Sequence, residues 1–218
     1  MIKVKCVNLE SRTERRIHAE SEFSGRPEFE MRIFKAIRHE VGSVGLWKSL
    51  ISVVQEMSRC DDEYFIFCED DHVFTDRYSP ELLRAGIEQA IGLNADILLG
   101  GVSWLETAVQ VSDKLFWVDK YTGNQFMVIF RKFYATLLGI TDFEKSSADR
   151  RISELSDNKF VIFPFISIQK EFGYSDATTK NNRTGRVDYL FDTTVKKLSR
   201  LDKVRNYYMN LRQNDGDS

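Results

Sequence analysis

The sequence predicts an α/β protein, a single domain with a mostly parallel central sheet flanked by helices on both faces, and three observations carry that expectation. Through the first hundred residues, apolar runs of strand length alternate with longer segments of helical periodicity, the order that parallel strands with crossover helices require. One run, Tyr64-Phe65-Ile66-Phe67-Cys68, is apolar without alternation, as in a strand buried on both faces, and it ends directly in Glu69-Asp70-Asp71-His72. Ser79-Pro80-Glu81 then gives a helix start, with Ser79 as the cap and Pro80 at the first helical position.

Residues 2 to 9 read as the first strand, and Glu10 to Glu22 as a polar helix begun by Ser11-Arg12-Thr13. Phe29 to Ile37 alternates as a second strand, with Phe29, Met31 and Ile33 against Glu30 and Arg32. Gly42-Ser43-Val44-Gly45 breaks it and opens a helix to about Arg59, with Leu46, Leu50, Val53, Val54 and Met57 at helical spacing. After the acid-tipped strand, the helix begun at Ser79 runs toward Leu93, and Asp96 to Gly101 is another buried strand. The second half is less regular. Phe116-Trp117-Val118 and Phe126 to Phe130 read as strands around a Gly123-Asn124 turn, Lys132 to Leu138 as a short helix, and Ser146-Ser147-Ala148-Asp149 as the start of another. Phe160 to Ile168 reads as a late strand and Val187 onward as a long terminal helix.

No linker, internal repeat or low-complexity segment interrupts the 218 residues, so one domain is expected. Within it, residues 1–101 and 102–182 are expected to form two halves, and 183–218 a basic helix and tail. A net charge of -2 and a pI near 6.0 remove any global argument for nucleic acid as a partner. Cys6, Cys60 and Cys68 are an odd set without metal-ligand spacing, which points to free thiols in a reducing compartment. The apolar stretch at the amino terminus is too short for a signal peptide, and no run reaches membrane-spanning length, so a cytoplasmic protein is expected.

In open α/β sheets, ligands gather at the carboxyl ends of the strands, where Glu69 to His72 fall. Side chains two apart on an extended backbone share a face, so Glu69 and Asp71 can converge on one hard cation while Asp70 points elsewhere. An acidic loop capping the next helix is the alternative.

The chain resembles glycosyltransferase family 25, which comprises bacterial lipooligosaccharide glycosyltransferases related to collagen galactosyltransferases. Val7-Asn8-Leu9 with Arg12 and Arg15 is similar to that family's opening motif, Gly42, Gly45 and Ser49 to its "G, two residues, G, three residues, SH", and Glu69-Asp70-Asp71 to its "EDD". Thr122-Gly123 to Ile129 is similar to its later hairpin strand, Asp149 to its late acid, and Pro164, Gln169, Ser175 and Asp176 to its "P, Q, SD" ending. Leu50 stands where the family has histidine, and His72 where it usually has an aliphatic residue.

The resemblance implies a GT-A fold and transfer of a sugar from a nucleoside-diphosphate donor, usually UDP, to a hydroxyl of a surface glycan precursor. Glu69 and Asp71 would hold Mn²⁺ or Mg²⁺ because the ligands are oxygens, with His72, Asp176, phosphate oxygens or water completing the shell. Asp70 would bind ribose or sugar hydroxyls, or hydrogen-bond its own loop. Asn8, Arg12, Arg15 and Ser49 would contact the donor, unless Arg12 and Arg15 are only the solvated face of a charged helix. Asp149 would be the base that takes the acceptor's proton, or else a complement to a helix dipole. Trp47 and Trp104 would line the pocket or belong to the core.

Two other classes compete. A sugar nucleotidyltransferase would need a Gly-rich, Lys/Arg-bearing loop after the first strand, which is missing. A non-catalytic scaffold that binds nucleotide or glycan is compatible with Leu50. From Arg183 to Arg212 there are eight Lys/Arg against three Asp, so the terminal helix could also touch anionic lipid and meet a lipid-linked acceptor.

Overall fold

The computed structural model describes residues 1–144, 147–173 and 184–215. Its centre is an eight-stranded sheet in the order β2-β1-β3-β10-β5-β11-β8-β7. The strands are β1 (Ile2–Asn8), β2 (Phe29–Lys35), β3 (Tyr64–Glu69), β5 (Ile97–Leu99), β7 (Ala108–Gln110), β8 (Leu115–Val118), β10 (Phe126–Phe130) and β11 (Lys159–Ile162). Following the pairings across the sheet, β10 and β8 run one way and the other six the opposite way, so the sheet is mixed but mostly parallel. Two short ribbons stand apart from it, β4 (His72–Phe74) with β12 (Ser167–Gln169) and β6 (Trp104–Leu105) with β9 (Tyr121–Thr122).

Alternation along the strands divides the core into two layers. Val7, Phe65, Phe67, Leu99, Met127 and Ile129 face one side, where α2 (Gly42–Met57), α4 (Tyr134–Leu138), α5 (Ala148–Leu155) and α6 (Arg186–Asp215) pack. Val4, Cys6, Ile66, Cys68, Leu98 and Val128 face the other, under α1 (Thr13–Phe23) and α3 (Pro80–Gly92). Helix α3 starts as its sequence requires, with the Ser79 hydroxyl accepting from Leu82 N at 3.1 Å and Pro80 directly after it. Helix α2 can lie close to the strand before it because residue 45 is glycine: a Cβ there would come within 2.6 Å of the Ile37 carbonyl oxygen.

Two expectations fail here. Strands β8 and β10 do not form a hairpin: β10 enters between β3 and β5, antiparallel to both, while β8 pairs with β7 and β11. All five residues of β10 are buried, as a central strand requires, and Tyr121–Thr122 is diverted to the ribbon with β6. The single late strand expected over 160–168 is two strands, because the chain leaves the main sheet after Ile162 and joins β4 at Ser167. The three cysteines are free, as expected. Among the described residues, no helix is long and apolar enough to cross a membrane.

Candidate functional site

The carboxyl ends of β1, β2 and β3 open into a cleft of about 1190 Å³. Its acidic wall is Glu69, Asp70, Asp71 and Asp149, so the acids at the tip of β3 and the late acid, 78 positions beyond Asp71 in sequence, meet across one space. Arg38, Arg150, Lys170 and Arg186 supply positive charge around it. Gly42 and Ser43, the first residues of α2, and exposed Trp104 also line it.

The organising group is Arg15. Projecting from α1, its Nε donates to Asp70 Oδ1 at 2.7 Å and its Nη2 to Asp71 Oδ2 at 3.0 Å, and Nη2 also lies 2.6 Å from Asp70 Oδ1. The guanidinium sits 5.0 Å from the Phe172 ring centroid. It is 8% exposed, so it is no solvated helix face. Asn8, also buried, donates from Nδ2 to Asp70 Oδ2 at 2.7 Å and to the Arg12 carbonyl at 3.1 Å. Both Asp70 oxygens are thereby engaged. Asp70 and Asp71 turn toward one guanidinium, which corrects the expectation that Asp70 points away from its neighbours; the backbone turns between Glu69 and His72 rather than continuing extended.

Glu69 and Asp71 remain under-partnered. Asp71 Oδ1 is buried with no hydrogen-bond partner. The Glu69 carboxylate takes no hydrogen bond from the described residues, although its backbone N–H donates to the Gln125 carbonyl at 3.1 Å. Burial first, then the charges of Asp71 and Asp70, holds Glu69 well above the usual carboxylate range. Asp71 is pushed up to about 6, chiefly by burial, with Arg15 opposing the rise and Asp70 adding to it.

Asp149 sits in the first turn of α5. Its Oδ1 accepts from the Ser147 hydroxyl at 2.5 Å and from Arg150 N at 2.8 Å, and its Oδ2 from Gly123 N at 3.3 Å. Gly123 has φ +111°, a backbone that lets the turn before β10 aim its N–H at this carboxylate. Oδ2, with one long bond, keeps acceptor capacity, and Asp149 lines the cleft.

Three other expectations are corrected. His72 does not face the cleft. It is 1% exposed, its ring packs 4.3 Å from Phe74 and 5.0 Å from Phe126, its Nδ1 pairs with the Ser167 hydroxyl at 2.7 Å, and burial lowers its pKa to about 3. It is a neutral core histidine on the opposite face from the acids, not a metal ligand. Ser49 is fully buried outside the cleft lining, donating to the Gly45 carbonyl at 2.7 Å and accepting from Ile37 N at 2.8 Å, so its hydroxyl ties α2 to the segment after β2. Arg12 caps α1 outside the cleft lining. Leu50 and Trp47 are core residues, so the side chain at position 50 does not reach the cleft. Ser146, Ser175, Asp176 and Arg183 lie outside the described residues.

Sequence reasoning passed over the segment after β12. Lys170, Glu171 and Phe172 line the cleft beside Gln169 at the end of β12, and Glu171 caps α6 by accepting from Gly185 N at 2.7 Å and Val187 N at 2.6 Å. An acid and a base directly after a strand were the available signal.

No protein-family model and no curated protein matches the chain. Among solved structures it is similar to A197 from STIV, with a TM-score of 0.47 and 13% identity over 78% of this chain and 86% of that one. An apo UDP-glucose pyrophosphorylase gives 0.44 and 8% over 90% and 82%, and a UDP-glucose pyrophosphorylase complexed with UDP-glucose gives 0.45 and 7% over 90% and 81%. Likenesses at these TM-scores say nothing about what this chain binds.

Proposed function

We propose that the chain is a metal-dependent glycosyltransferase of GT-A type, moving a sugar from a nucleoside-diphosphate donor, UDP by the sequence resemblance, to a hydroxyl of a glycan or lipid-linked acceptor. The observation that carries it is spare acceptor capacity beside a cleft: the buried, unpartnered Asp71 Oδ1 next to the Glu69 carboxylate. Orphaned carboxylate oxygens fit a hard divalent cation such as Mn²⁺ or Mg²⁺. No group of three His, Cys, Asp or Glu among the described residues is arranged to hold a metal, so the protein would supply two ligands and leave the rest to water and the donor's phosphates. When bound, such an ion neutralises the charge that develops on a departing diphosphate.

The chain's own residues divide the remaining work. Arg15 and Asn8 hold Asp70 and Asp71 in place. Gly42 and Ser43 at the N-terminus of α2, with Arg38 nearby, present positive potential to phosphate oxygens. Asp149 Oδ2 accepts the proton of the acceptor hydroxyl as its oxygen bonds to the anomeric carbon, and the bond from that carbon to the phosphate oxygen breaks with both electrons leaving on the diphosphate. Attack opposite the leaving group inverts the configuration.

A second reading, nucleotide binding without turnover, is favoured by Arg15, which already supplies positive charge to Asp70 and Asp71. Calorimetry with UDP, with and without Mn²⁺, followed by hydrolysis assays on UDP-sugars, separates the two. Mn²⁺-dependent UDP binding with sugar release supports the transferase; binding without release supports the scaffold, and no UDP binding under either condition refutes both.

A further inference from the structure

Among the described residues, nothing packs on the second half of α6. Residues 206–212 are all exposed, and among the described residues the last tie to the body is Gln110 Nε2 donating to Asp202 Oδ1 at 2.7 Å. Leu201, Val204, Tyr207, Tyr208 and Leu211 are nevertheless apolar or aromatic and between 38% and 61% exposed. Leu201, Val204, Tyr208 and Leu211 recur at spacings of three, four and three, which places them in one stripe along the helix with Tyr207 at its border. The stripe is roughly a quarter turn around from the residues that pack α6 on the domain, Val187, Phe191, Thr194 and Leu198. The described residues leave it uncovered.

Charge decides what covers it. Arg205 and Arg212 border the stripe on one side and Arg200 on the other, while Asp202, Asn206 and Asn210 share the far face. A second copy laid along the stripe, in either direction, sets arginine against arginine, the reverse of the e/g complementarity that stabilises paired helices. An anionic surface with an apolar interior meets both features at once. The long arginine stems can lie on apolar surface with their heads at the phosphates, and Tyr207 and Tyr208, edge to face at 5.3 Å, have apolar rings with polar tips suited to a headgroup boundary.

We propose that the exposed half of α6 lies in the interface of an anionic lipid bilayer, with Leu201, Val204, Tyr208 and Leu211 in the acyl boundary and Arg200, Arg205 and Arg212 at the headgroups. The same continuous helix begins at the cleft, where Arg186, Val187 and Leu190 line the wall. At 1.5 Å per residue, Val204 is about 25 Å along the axis from Val187, so docking holds the cleft at a fixed, short distance from the bilayer. Lipid binding stands apart from nucleotide binding, because the stripe and the cleft share no residue.

The test is co-sedimentation of the full chain at low salt with vesicles of phosphatidylcholine alone and of phosphatidylcholine mixed with phosphatidylglycerol. The wild type is expected to pellet with the mixed vesicles only, and both Val204→Glu/Tyr208→Glu/Leu211→Glu and Arg200→Gln/Arg205→Gln/Arg212→Gln to lose binding by about tenfold or more while melting as the wild type does. Wild type left in the supernatant overturns the proposal and leaves the stripe to a protein partner. Undiminished binding by the Glu variant overturns it as well. Sedimentation velocity without lipid is expected to show the same species for wild type and Glu variant; a wild-type dimer that this variant abolishes assigns the stripe to a second copy.

Discussion

Replacing Arg15 by methionine removes one cation from between two partly buried carboxylates. The side chains of Arg15, Asp70 and Asp71 are 10%, 11% and 15% exposed, so water screens little of what is lost. Breaking a buried pair by deleting one partner costs about 3–5 kcal/mol, since the remaining charges stay desolvated. For a domain of this length that corresponds to a melting temperature lower by about 10 °C at pH 7.5. The pH dependence has a definite sign. Asp71 already titrates near 6 in the folded wild type against an ordinary 3.8, so its ionisation opposes folding: the penalty is absent below the unfolded value and complete above the folded one. Without Arg15, which opposes the rise, that folded value climbs further. Both proteins therefore gain stability from this group on acidification from pH 7.5 to 5, the variant more, and the gap between them narrows. Urea denaturation of wild type and Arg15→Met at both pH values measures it. A variant within about 0.5 kcal/mol of wild type, the range of an ordinary surface substitution, or a gap that widens toward pH 5, would refute the reasoning.

Other substitutions test the corrected assignments. Ser49→Ala should cost about 1–3 kcal/mol in urea denaturation, because Ile37 N–H loses its acceptor, and should leave UDP affinity unchanged in calorimetry. Gly45→Ala should destabilise by about 1–3 kcal/mol through the 2.6 Å approach of its Cβ to the Ile37 carbonyl, read as a lower melting temperature. His72→Asn should lower stability while leaving Mn²⁺ affinity as in wild type; a selective loss of metal binding would return His72 to the site. Asp149→Asn should retain UDP binding but reduce sugar transfer by about 10²–10⁴-fold, measured as UDP release in the presence of acceptor.

The first half of the fold was legible because its information is local. A cap and proline at Ser79-Pro80 and the apolar run of β3 are decided within a few residues, and they appear at the expected positions. The neighbours of β10 were not legible. Its five apolar residues say that it is buried, whereas insertion between β3 and β5 depends on pairings with segments tens of residues away. Of the candidate site residues named from the sequence, Glu69, Asp70, Asp71 and Asp149 line one cleft. By residue type Arg15 read as the solvated face of a charged helix, because nothing within α1 reveals that α1 lies against the end of β3. The same cause misplaced His72: alternation assumes an unbroken strand, and the turn at Asp70-Asp71 delivers the next residue into the aromatic layer beneath the sheet.

The most direct measurement is a titration of Mn²⁺ followed by electron paramagnetic resonance in the presence of UDP, on wild type and on Glu69→Gln/Asp71→Asn. A carboxylate pair with the unpartnered Asp71 Oδ1, its cation shell completed by a diphosphate, should bind one Mn²⁺ per chain, only weakly when UDP is omitted, and the double variant should lose affinity by about tenfold or more. Equal Mn²⁺ binding by wild type and variant, or none by wild type with UDP present, would contradict a metal centre at the tip of β3.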